Sequence, residues 1–299
     1  MELRPLTIQD RKIFESFLRL KGHALSVYAF ENIYIWKAIF DIRWAIIEDS
    51  LCVFFRDAIG CFLYFSPLAR KLTPQVIAKA FKIMDGLNRS QEISRIENIE
   101  EHEAVLYKKF GYAVKDKFPE YLCRRTELVE LKGERFKPKR ACCNYFIKHY
   151  DFEYLGFSLR HRDECLALYR LWARQRKDVF KDPVYQGLLL DSSSCLKKLL
   201  DNYRVLNLEG RIVTVGSEVK AFTFGFALNS DTFCVLYEIT DLAIKGLAQF
   251  IFREFCAELK SYRYINIMDD SGLENLKKVK LSYHPFKLIP AYIAARENA

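Results

Sequence analysis

Hydrophobic residues in the first half of the chain recur with two different periods. Behind Thr7, which can cap a helix, Ile13, Phe14, Phe17 and Leu18 form one apolar face at helical spacing. Short apolar runs separated by polar turns follow, and this spacing predicts an antiparallel meander of strands. A helix, a strand, a second helix and a last strand are predicted after the meander. The strands are expected at 43–47, 51–56, 60–65, 94–99 and 121–124, and further helices at 28–40, 73–84 and 100–110.

The second half of the chain repeats this order of elements. Its pattern predicts helices at 163–176, 195–203, 246–260 and 273–279, strands at 205–208, 211–215, 219–228, 232–239 and 264–268, and an extended segment at 282–293. Each half therefore reads helix, antiparallel strands, helix, strand, helix, strand, which indicates an internal duplication. A polar stretch with Gly133 and Pro138 separates the halves, so we expect two domains, 1–127 and 128–299.

The expected fold class is α+β, with a mixed sheet in each domain. A meander that leads into a β-α-β unit resembles the N-acetyltransferase (GNAT) superfamily fold. In that fold the last strand of the meander splays from the next strand and opens a V-shaped cleft. A helix N-terminus points into this cleft and can bind a pyrophosphate.

Composition limits the class of protein and its partners. The 299 residues are 51% hydrophobic and carry a formal net charge of +9, which excludes a disordered chain and favours an anionic partner. No apolar run approaches the roughly 18–20 residues of a membrane span, and the first residues lack the pattern of a signal peptide. We therefore expect a cytoplasmic protein. Its nine cysteines, an odd number without a C-x-x-C pair, favour reduced thiols over disulfides or a zinc site.

Several short motifs, mostly in the second half, resemble one family. The segment 131–140 reads Leu-Lys-Gly-Glu-Arg-Phe-Lys-Pro-Lys-Arg, as in the C-terminal-domain-like family of phosphatidylglycerol lysyltransferases. Further matches, in order, are Tyr34-Ile35-Trp36, Asn144, Phe146, Tyr237-Glu238, Ile244-Lys245-Gly246, Asn266, Asp270, Gly272 and 280–285, which reads Lys-Leu-Ser-Tyr-His-Pro. Their order and spacing together make the resemblance specific, and it spans nearly the whole chain.

The resemblance implies an enzyme with two tandem GNAT-like domains. The best-understood members move lysine or alanine from aminoacyl-tRNA to phosphatidylglycerol behind a membrane-embedded part. No such part is present in this sequence, so the expected acceptor is either a lipid headgroup or a small hydroxyl or amine. Aminoacyl-tRNA and phospholipid headgroups are the implied anionic partners, with contact at the membrane surface. No cofactor is required in such a reaction.

Three residues of the second half are candidates for catalysis. Glu238 ends a mostly apolar strand where a GNAT cleft opens, so its carboxylate could be desolvated and act as a general base. The alternative is a solvated Glu at a strand end. Asp270 could orient the α-ammonium group of the donor, or it could cap the helix that starts near Gly272. Tyr283 could protonate a leaving group, or it could be a packed aromatic residue.

Basic and polar residues near these candidates are expected to bind the substrate. Lys280 could hold a phosphate or an oxyanion. The resemblance adds Ser282 and Asn266. Lys139 and Arg140 belong to a basic run, 132–148, that is interleaved with aromatic residues and typical of a surface for phosphate or an acidic headgroup. The alternative for this run is a solvated linker or helix face.

The segment 243–248 occupies the position of the phosphate-binding loop of acetyl-CoA-dependent GNAT enzymes. It keeps Gly246 and Ala248 but has Ala243 where Gln or Arg is expected. Lys245 and Gly246 remain the candidates for binding a CoA-type donor, although a helix start alone explains Gly246. Two other functions stay open: a GNAT acetyltransferase that uses acyl-CoA on a small amine, and a GNAT-like binding module without catalysis.

Overall fold

The computed structural model describes residues 2–297, which form two compact units. Residues 2–120 together with 289–297 form the first unit, and residues 121–288 form the second. This division differs from the predicted one, 1–127 and 128–299, at both ends of the second domain. The difference has a physical cause: the last strand of the chain pairs with a strand of the first unit.

The first unit contains four helices and a mixed sheet among its described residues. The helices are α1 Arg11–Leu18, α2 Phe30–Ile35, α3 Pro74–Leu87 and α4 Glu101–Lys109. The strands are β1 Arg4–Pro5, β2 Asp41–Ile47, β3 Ser50–Arg56, β4 Cys61–Leu63 and β5 Ile96–Glu100, and β6 Tyr112–Arg124 starts here. Thr73 accepts a hydrogen bond from Val76 N and Pro74 follows it, so α3 begins as predicted.

The second unit repeats this plan with longer elements. Its helices are α5 Arg125–Glu130, α6 Lys137–His149, α7 Arg162–Val179, α8 Pro183–Asp201, α9 Leu247–Glu258 and α10 Glu274–Leu281. Its strands are the end of β6, then β7 Phe152–Gly156, β8 Glu209–Val215, β9 Glu218–Ala227, β10 Thr232–Thr240 and β11 Tyr264–Asn266. The final strand, β12 Lys287–Arg296, pairs with β5 of the first unit through Ala291, Tyr292 and Ala294.

The strand pairings of the two units are equivalent. In the first, β2, β3 and β4 are antiparallel, β4 and β5 are parallel, and β12 lies antiparallel on the far side of β5. In the second, β8, β9 and β10 are antiparallel, β10 and β11 are parallel, and β6 lies antiparallel on the far side of β11. The duplication is therefore visible in the pairing as well as in the element order.

Several details of the predicted secondary structure were wrong. Residues 205–208 form no strand, since β8 begins at Glu209, and α8 begins at Pro183, twelve residues before the predicted helix at 195. Strand β6 begins at Tyr112, nine residues before the predicted strand at 121. The stretch expected to link the domains forms two helices, α5 and α6. Strand β7 was not predicted. These segments lack strong apolar periodicity, so tertiary packing decides their conformation.

Helix α9 supplies most of the apolar core on one face of the second sheet. Leu247, Phe250 and Ile251 pack with β8 and β9 residues, and Phe252 and Phe255 pack with residues of β10 and β11. Within residues 2–297, every helix is either too short or too polar to cross a bilayer. All nine cysteines are free thiols, and eight of them are buried.

Candidate active site

Glu238 lies where two strands of the second sheet part. Strands β10 and β11 pair in parallel only from Thr232 to Cys234, opposite Tyr264 to Asn266. Strand β10 then continues for six residues without β11 beside it, and Glu238 is four residues beyond Cys234. Glu238 therefore lies on the part of β10 that has no pairing with β11.

A β-bulge in β10 sets the orientation of the Tyr237 and Glu238 side chains. The register of β10 against β9 shifts between Val235 and Tyr237, and Thr223 Oγ1 donates a hydrogen bond of 2.9 Å to the Tyr237 carbonyl. The Tyr237 hydroxyl donates to the carbonyl of Ser192 in α8 at 2.8 Å. Because neighbouring side chains point to opposite faces, Glu238 faces the side of the sheet that carries α9. Its charge accordingly acts on Cys256 of that helix.

Burial dominates the electrostatics of Glu238. The partly buried side chain loses hydration, which raises the pKa of its carboxyl group to about 7, while the positive charges of Lys139 and Lys280 oppose the rise. Within residues 2–297, no group donates a hydrogen bond to this carboxylate. A carboxyl group with this pKa exchanges protons readily near neutral pH, as a general base must.

Lys139 and Tyr283 form one wall around Glu238. Lys139 lies in the first turn of α6, and its Nζ is 3.9 Å from the centroid of the Tyr283 ring. Burial lowers the pKa of Lys139, and the charge of Glu238 opposes this effect. Tyr283 is buried against Phe252 with ring centroids 4.7 Å apart, and burial raises the pKa of its hydroxyl. Tyr283 is therefore a packed aromatic residue that also supports a cation.

Lys280 approaches Glu238 from α10. Its Nζ donates a hydrogen bond to the carbonyl of Ile267, and it lies 5.9 Å from the centroid of the Tyr121 ring. The charge of Lys280 is among those that hold down the pKa of Glu238. The structure thus brings together four of the residues singled out in the sequence: Glu238, Lys139, Lys280 and Tyr283.

Asp270 anchors the loop that leads into α10. Its buried carboxylate accepts a hydrogen bond from the Tyr121 hydroxyl and another, 2.9 Å long, from Gly272 N. Burial and this bond raise the pKa of Tyr121. Asp270 therefore fixes the loop before the helix that carries Lys280, but it does not cap this helix, whose N-cap is Leu273. Nothing in the sequence marked Tyr121, since its partner lies 149 residues away.

Three further candidates make local hydrogen bonds. Asn266 Oδ1 accepts from Met268 N at 2.7 Å, and Met268 has a positive φ of 62°. Ser282 Oγ donates to the Val279 carbonyl at the end of α10. Arg140 donates to the carbonyls of Leu131 and Gly133, which closes the turn between α5 and α6. These bonds shape the loops around Glu238.

Gly246 has a packing role at the start of α9. Its φ is +86°, and a Cβ at this position would overlap the carbonyl oxygen of Cys142 in α6. Lys245 beside it lies over the Tyr145 ring, 4.4 Å from the centroid. The glycine thus permits close contact between α6 and the N-terminus of α9, and this contact explains why the segment requires glycine.

Three of the six basic residues in the run 132–148 are paired with acidic residues. Lys132 contacts Glu130 at 3.0 Å, Arg135 contacts Glu127 at 3.1 Å, and Lys137 contacts Glu134 at 3.3 Å. These pairs reduce the charge that the run presents to a partner. In the part of the chain that the structure describes, no group of three His, Cys, Asp or Glu side chains is placed to bind a metal.

Several solved structures share this architecture. A protein of unknown function from Bacteroides thetaiotaomicron VPI-5482 has 25% sequence identity and a TM-score of 0.88, with 99% of this chain and 100% of that chain covered. L-PGS from Bacillus licheniformis has 19% identity and a TM-score of 0.65, with 97% and 93% covered. A tandem GNAT protein from the clavulanic acid biosynthesis pathway has 8% identity and a TM-score of 0.55, with 100% and 99% covered. These likenesses confirm the tandem GNAT-like fold.

The comparison of sequences identifies the family. No curated protein matches the chain in sequence. Residues 19–295 match the family model described as phosphatidylglycerol lysyltransferase, C-terminal. The match covers nearly the whole chain and both units. The protein therefore belongs to the phosphatidylglycerol lysyltransferase C-terminal family, as its sequence motifs indicated.

Proposed function

We propose that the protein is an aminoacyltransferase that moves an aminoacyl group from aminoacyl-tRNA to the hydroxyl or amine of an acceptor. The observation that carries this proposal is the Glu238 carboxyl group, placed where β10 and β11 part, with a pKa of about 7 and two lysines nearby. Family membership and the GNAT-like fold support a transferase of this type.

The proposed reaction is attack of the acceptor on the ester carbonyl of the donor. Glu238 takes the proton of the acceptor hydroxyl or amine as the new bond to the carbonyl carbon forms. The oxyanion that results is stabilised by the ammonium group of Lys139, which makes a cation–π contact with the Tyr283 ring. The bond to the tRNA ribose oxygen then breaks, and this oxygen receives the proton that Glu238 accepted. Lys280 and Asp270 act as binding and positioning residues, respectively.

We infer an aminoacyl ester rather than acyl-CoA as the donor. In CoA-dependent GNAT enzymes the loop before the central helix cradles a pyrophosphate, but here Gly246 packs tightly on α6 and Ala243 replaces the expected Gln or Arg. The contact of Gly246 with Cys142 accounts for this glycine without a bound pyrophosphate. An aminoacyl-tRNA donor requires no such loop and no further cofactor.

The surface near the α7–α8 turn supports an acceptor at a lipid surface. Val179 and Val184 flank this turn and are 70% and 69% exposed, and Lys177 and Lys181 beside them alternate with Asp178 and Asp182. The two exposed valines are therefore the feature that suits contact with a membrane surface, since the charges of the turn balance. We infer a cytoplasmic protein that reaches the headgroups of a membrane by contact at its surface.

The direct test is to incubate the protein with labelled aminoacyl-tRNA and total lipid and to measure which fraction takes the label. We expect Glu238→Gln to lower the rate of transfer by about 100-fold or more, because general-base catalysis is lost. Glu153→Gln, at an exposed position on β7, is the matched control and should keep the wild-type rate. Full activity of Glu238→Gln, or labelling from acetyl-CoA instead of aminoacyl-tRNA, would overturn the proposal.

The pH dependence of the transfer rate is a second test of the role of Glu238. The base must be deprotonated, so the wild-type rate should rise as the pH passes through about 7 and then level off. The Glu238→Gln variant should lack this rise. A wild-type rate that is flat between pH 6 and 8 would remove Glu238 from the proton-transfer step.

A further inference from the structure

Helix α7 buries one stripe of side chains, and this stripe ends in a charge. Cys165, Leu168 and Tyr169 are buried, Trp172 is partly buried, and Arg176 follows four residues later on the same face. The other basic residues of the helix lie on other faces, and Arg170 and Arg174 are exposed. Arg176 is thus a cation on the inner face of the helix.

The guanidinium group of Arg176 has no partner that neutralises it. Among the described residues, no ion pair within 4 Å and no side-chain hydrogen bond involves Arg176. Its Nε is buried without a hydrogen bond. The Trp172 ring, 5.5 Å away, provides a cation–π contact. An enclosed donor without a partner is costly, and such groups are characteristic of ligand sites.

Polar groups from two other helices surround the same space. Tyr185 in the first turns of α8 is buried, and burial raises the pKa of its hydroxyl, whereas the charge of Arg176 and a hydrogen bond to Asn275 oppose the rise. Asn275 lies in the first turn of α10. Residues of three helices therefore meet at Arg176, and Arg176 is the charged group that acts on the Tyr185 hydroxyl.

Helices α8 and α10 also carry residues near Glu238 or its neighbour Tyr237. Lys280 lies five positions after Asn275 on α10, a rise of about 7.5 Å. On the other side, Tyr169 of α7 donates to the Leu189 carbonyl of α8 at 2.8 Å, and α8 in turn receives the Tyr237 hydroxyl beside Glu238.

We propose that Arg176, with Tyr185 and Asn275, forms an anion subsite that binds a phosphate group of the substrate. Guanidinium groups are suited to phosphate because they donate two parallel hydrogen bonds to its oxygens. The subsite explains why an unpaired arginine lies on the inner face of α7. Its place in an aminoacyl transfer rests on the proposed function, but phosphate binding itself does not.

Trp172 offers an intrinsic signal for the test. The other two tryptophans, Trp36 and Trp44, belong to the first unit. We expect inorganic phosphate and glycerol 1-phosphate to change the tryptophan fluorescence of the full chain in a saturable manner, whereas acetate at equal ionic strength should not. Trp172→Phe should abolish the signal. A parallel titration with adenosine 5′-monophosphate distinguishes the two sources of the phosphate group. Tighter binding of this nucleotide indicates tRNA, and tighter binding of glycerol 1-phosphate indicates a lipid headgroup.

Paired arginine variants decide the outcome. Arg176→Gln should weaken the binding of glycerol 1-phosphate by about 10-fold or more, while Arg174→Gln, exposed on the same helix, should bind as the wild type does. Arg176→Met should keep a wild-type melting temperature without ligand and lose the stabilisation by phosphate. Equal binding by Arg176→Gln, or no signal with the wild type, would overturn the subsite. Glu238→Gln should still bind glycerol 1-phosphate, so a failure of the proposed catalysis and a failure of the anion subsite can be told apart.

Discussion

Glu238 is the residue at which function and stability oppose each other. Its carboxyl group is partly buried, accepts no hydrogen bond from the described residues and depends on two lysines for compensation. Buried ionised groups destabilise a fold unless they are paired closely. The ionised carboxylate of Glu238 therefore lowers the stability of the fold, and in return it provides a base that works near neutral pH.

The pH dependence of stability should show this effect. The pKa of Glu238 rises from its ordinary value of 4.5 to about 7 in the folded state, so the folded protein binds the proton more tightly than the unfolded chain. The contribution of Glu238 to the free energy of unfolding is therefore fully present below pH 4.5 and is lost as the pH rises through 7. Glu238→Gln should be more stable than the wild type by about 1–3 kcal/mol at pH 8.

Urea denaturation at pH 4.5 and pH 8 measures this difference. The gain from Glu238→Gln should nearly vanish at the lower pH, because the wild-type carboxyl group is then protonated in the folded state and about half protonated in the unfolded chain. Glu153→Gln should show no such dependence, since Glu153 is exposed. A gain that is equal at both pH values would mean that the ionised form carries no penalty.

The sequence identified some residues of the site and not others. Glu238 could be predicted because an acidic residue that ends an apolar strand is visible in the pattern. Lys139 appeared only as one cation in a basic run, and the contact with Tyr283 that sets it apart spans 144 positions. Tyr121 gave no signal, because its role depends wholly on Asp270 across the loop.

At the scale of elements, the contact of α6 with α9 defines the site. Gly246 allows the start of α9 to approach the Cys142 carbonyl, and this approach holds α6 where Lys139 meets Glu238. Helix α6 was not predicted, because its sequence is basic and its apolar periodicity is weak. The helix forms because Cys143 and Phe146 are buried against the rest of the unit.

A substitution at Gly246 tests this contact. Gly246→Ala should lower the free energy of unfolding by about 3 kcal/mol or more, because the methyl group overlaps backbone that cannot move easily. Gly133→Ala is the matched control: its φ of +85° is nearly the same, but no atom lies within 4 Å of the new methyl group. It should cost about 1 kcal/mol, from backbone strain alone.

Chemical denaturation of both variants separates the two causes. If Gly246→Ala and Gly133→Ala lose equal stability, the left-handed backbone alone would explain the glycine, and the close contact with α6 would have no energetic weight.

For the whole molecule, the notable feature is how each sheet is completed. Strand β11 of the second unit pairs with β6, which comes from the middle of the chain, whereas β5 of the first unit pairs with β12, which follows residue 286. The equivalent strand positions are thus filled from different places in the sequence. The first unit cannot complete its sheet until the second has been synthesised.

A buried charge in β12 should therefore disrupt the first unit. Ala294 is fully buried in the core beside Ile96 and Tyr107, so Ala294→Asp should lower the free energy of unfolding by about 3 kcal/mol or more. Ala295→Asp, one residue later and partly exposed on the opposite face of the strand, should cost about 1 kcal/mol.

Hydrogen exchange identifies the elements that Ala294→Asp destabilises. We expect Ala294→Asp to raise exchange rates in β4, β5 and α3, all of which border the same core. If the protection of these elements is unchanged, β12 is not required for the core of the first unit.

The sequence by itself determined the order of elements, the duplication, the family and the strand end that carries Glu238. These properties depend on local periodicity and short motifs, which neighbouring residues encode. Only the tertiary structure decided which strand completes each sheet, that Gly246 serves helix packing and that Lys139 and Arg176 differ from the other cations around them. These features depend on contacts between residues that are far apart in the chain. They also depend on burial, which leaves some charged groups without a partner and not others.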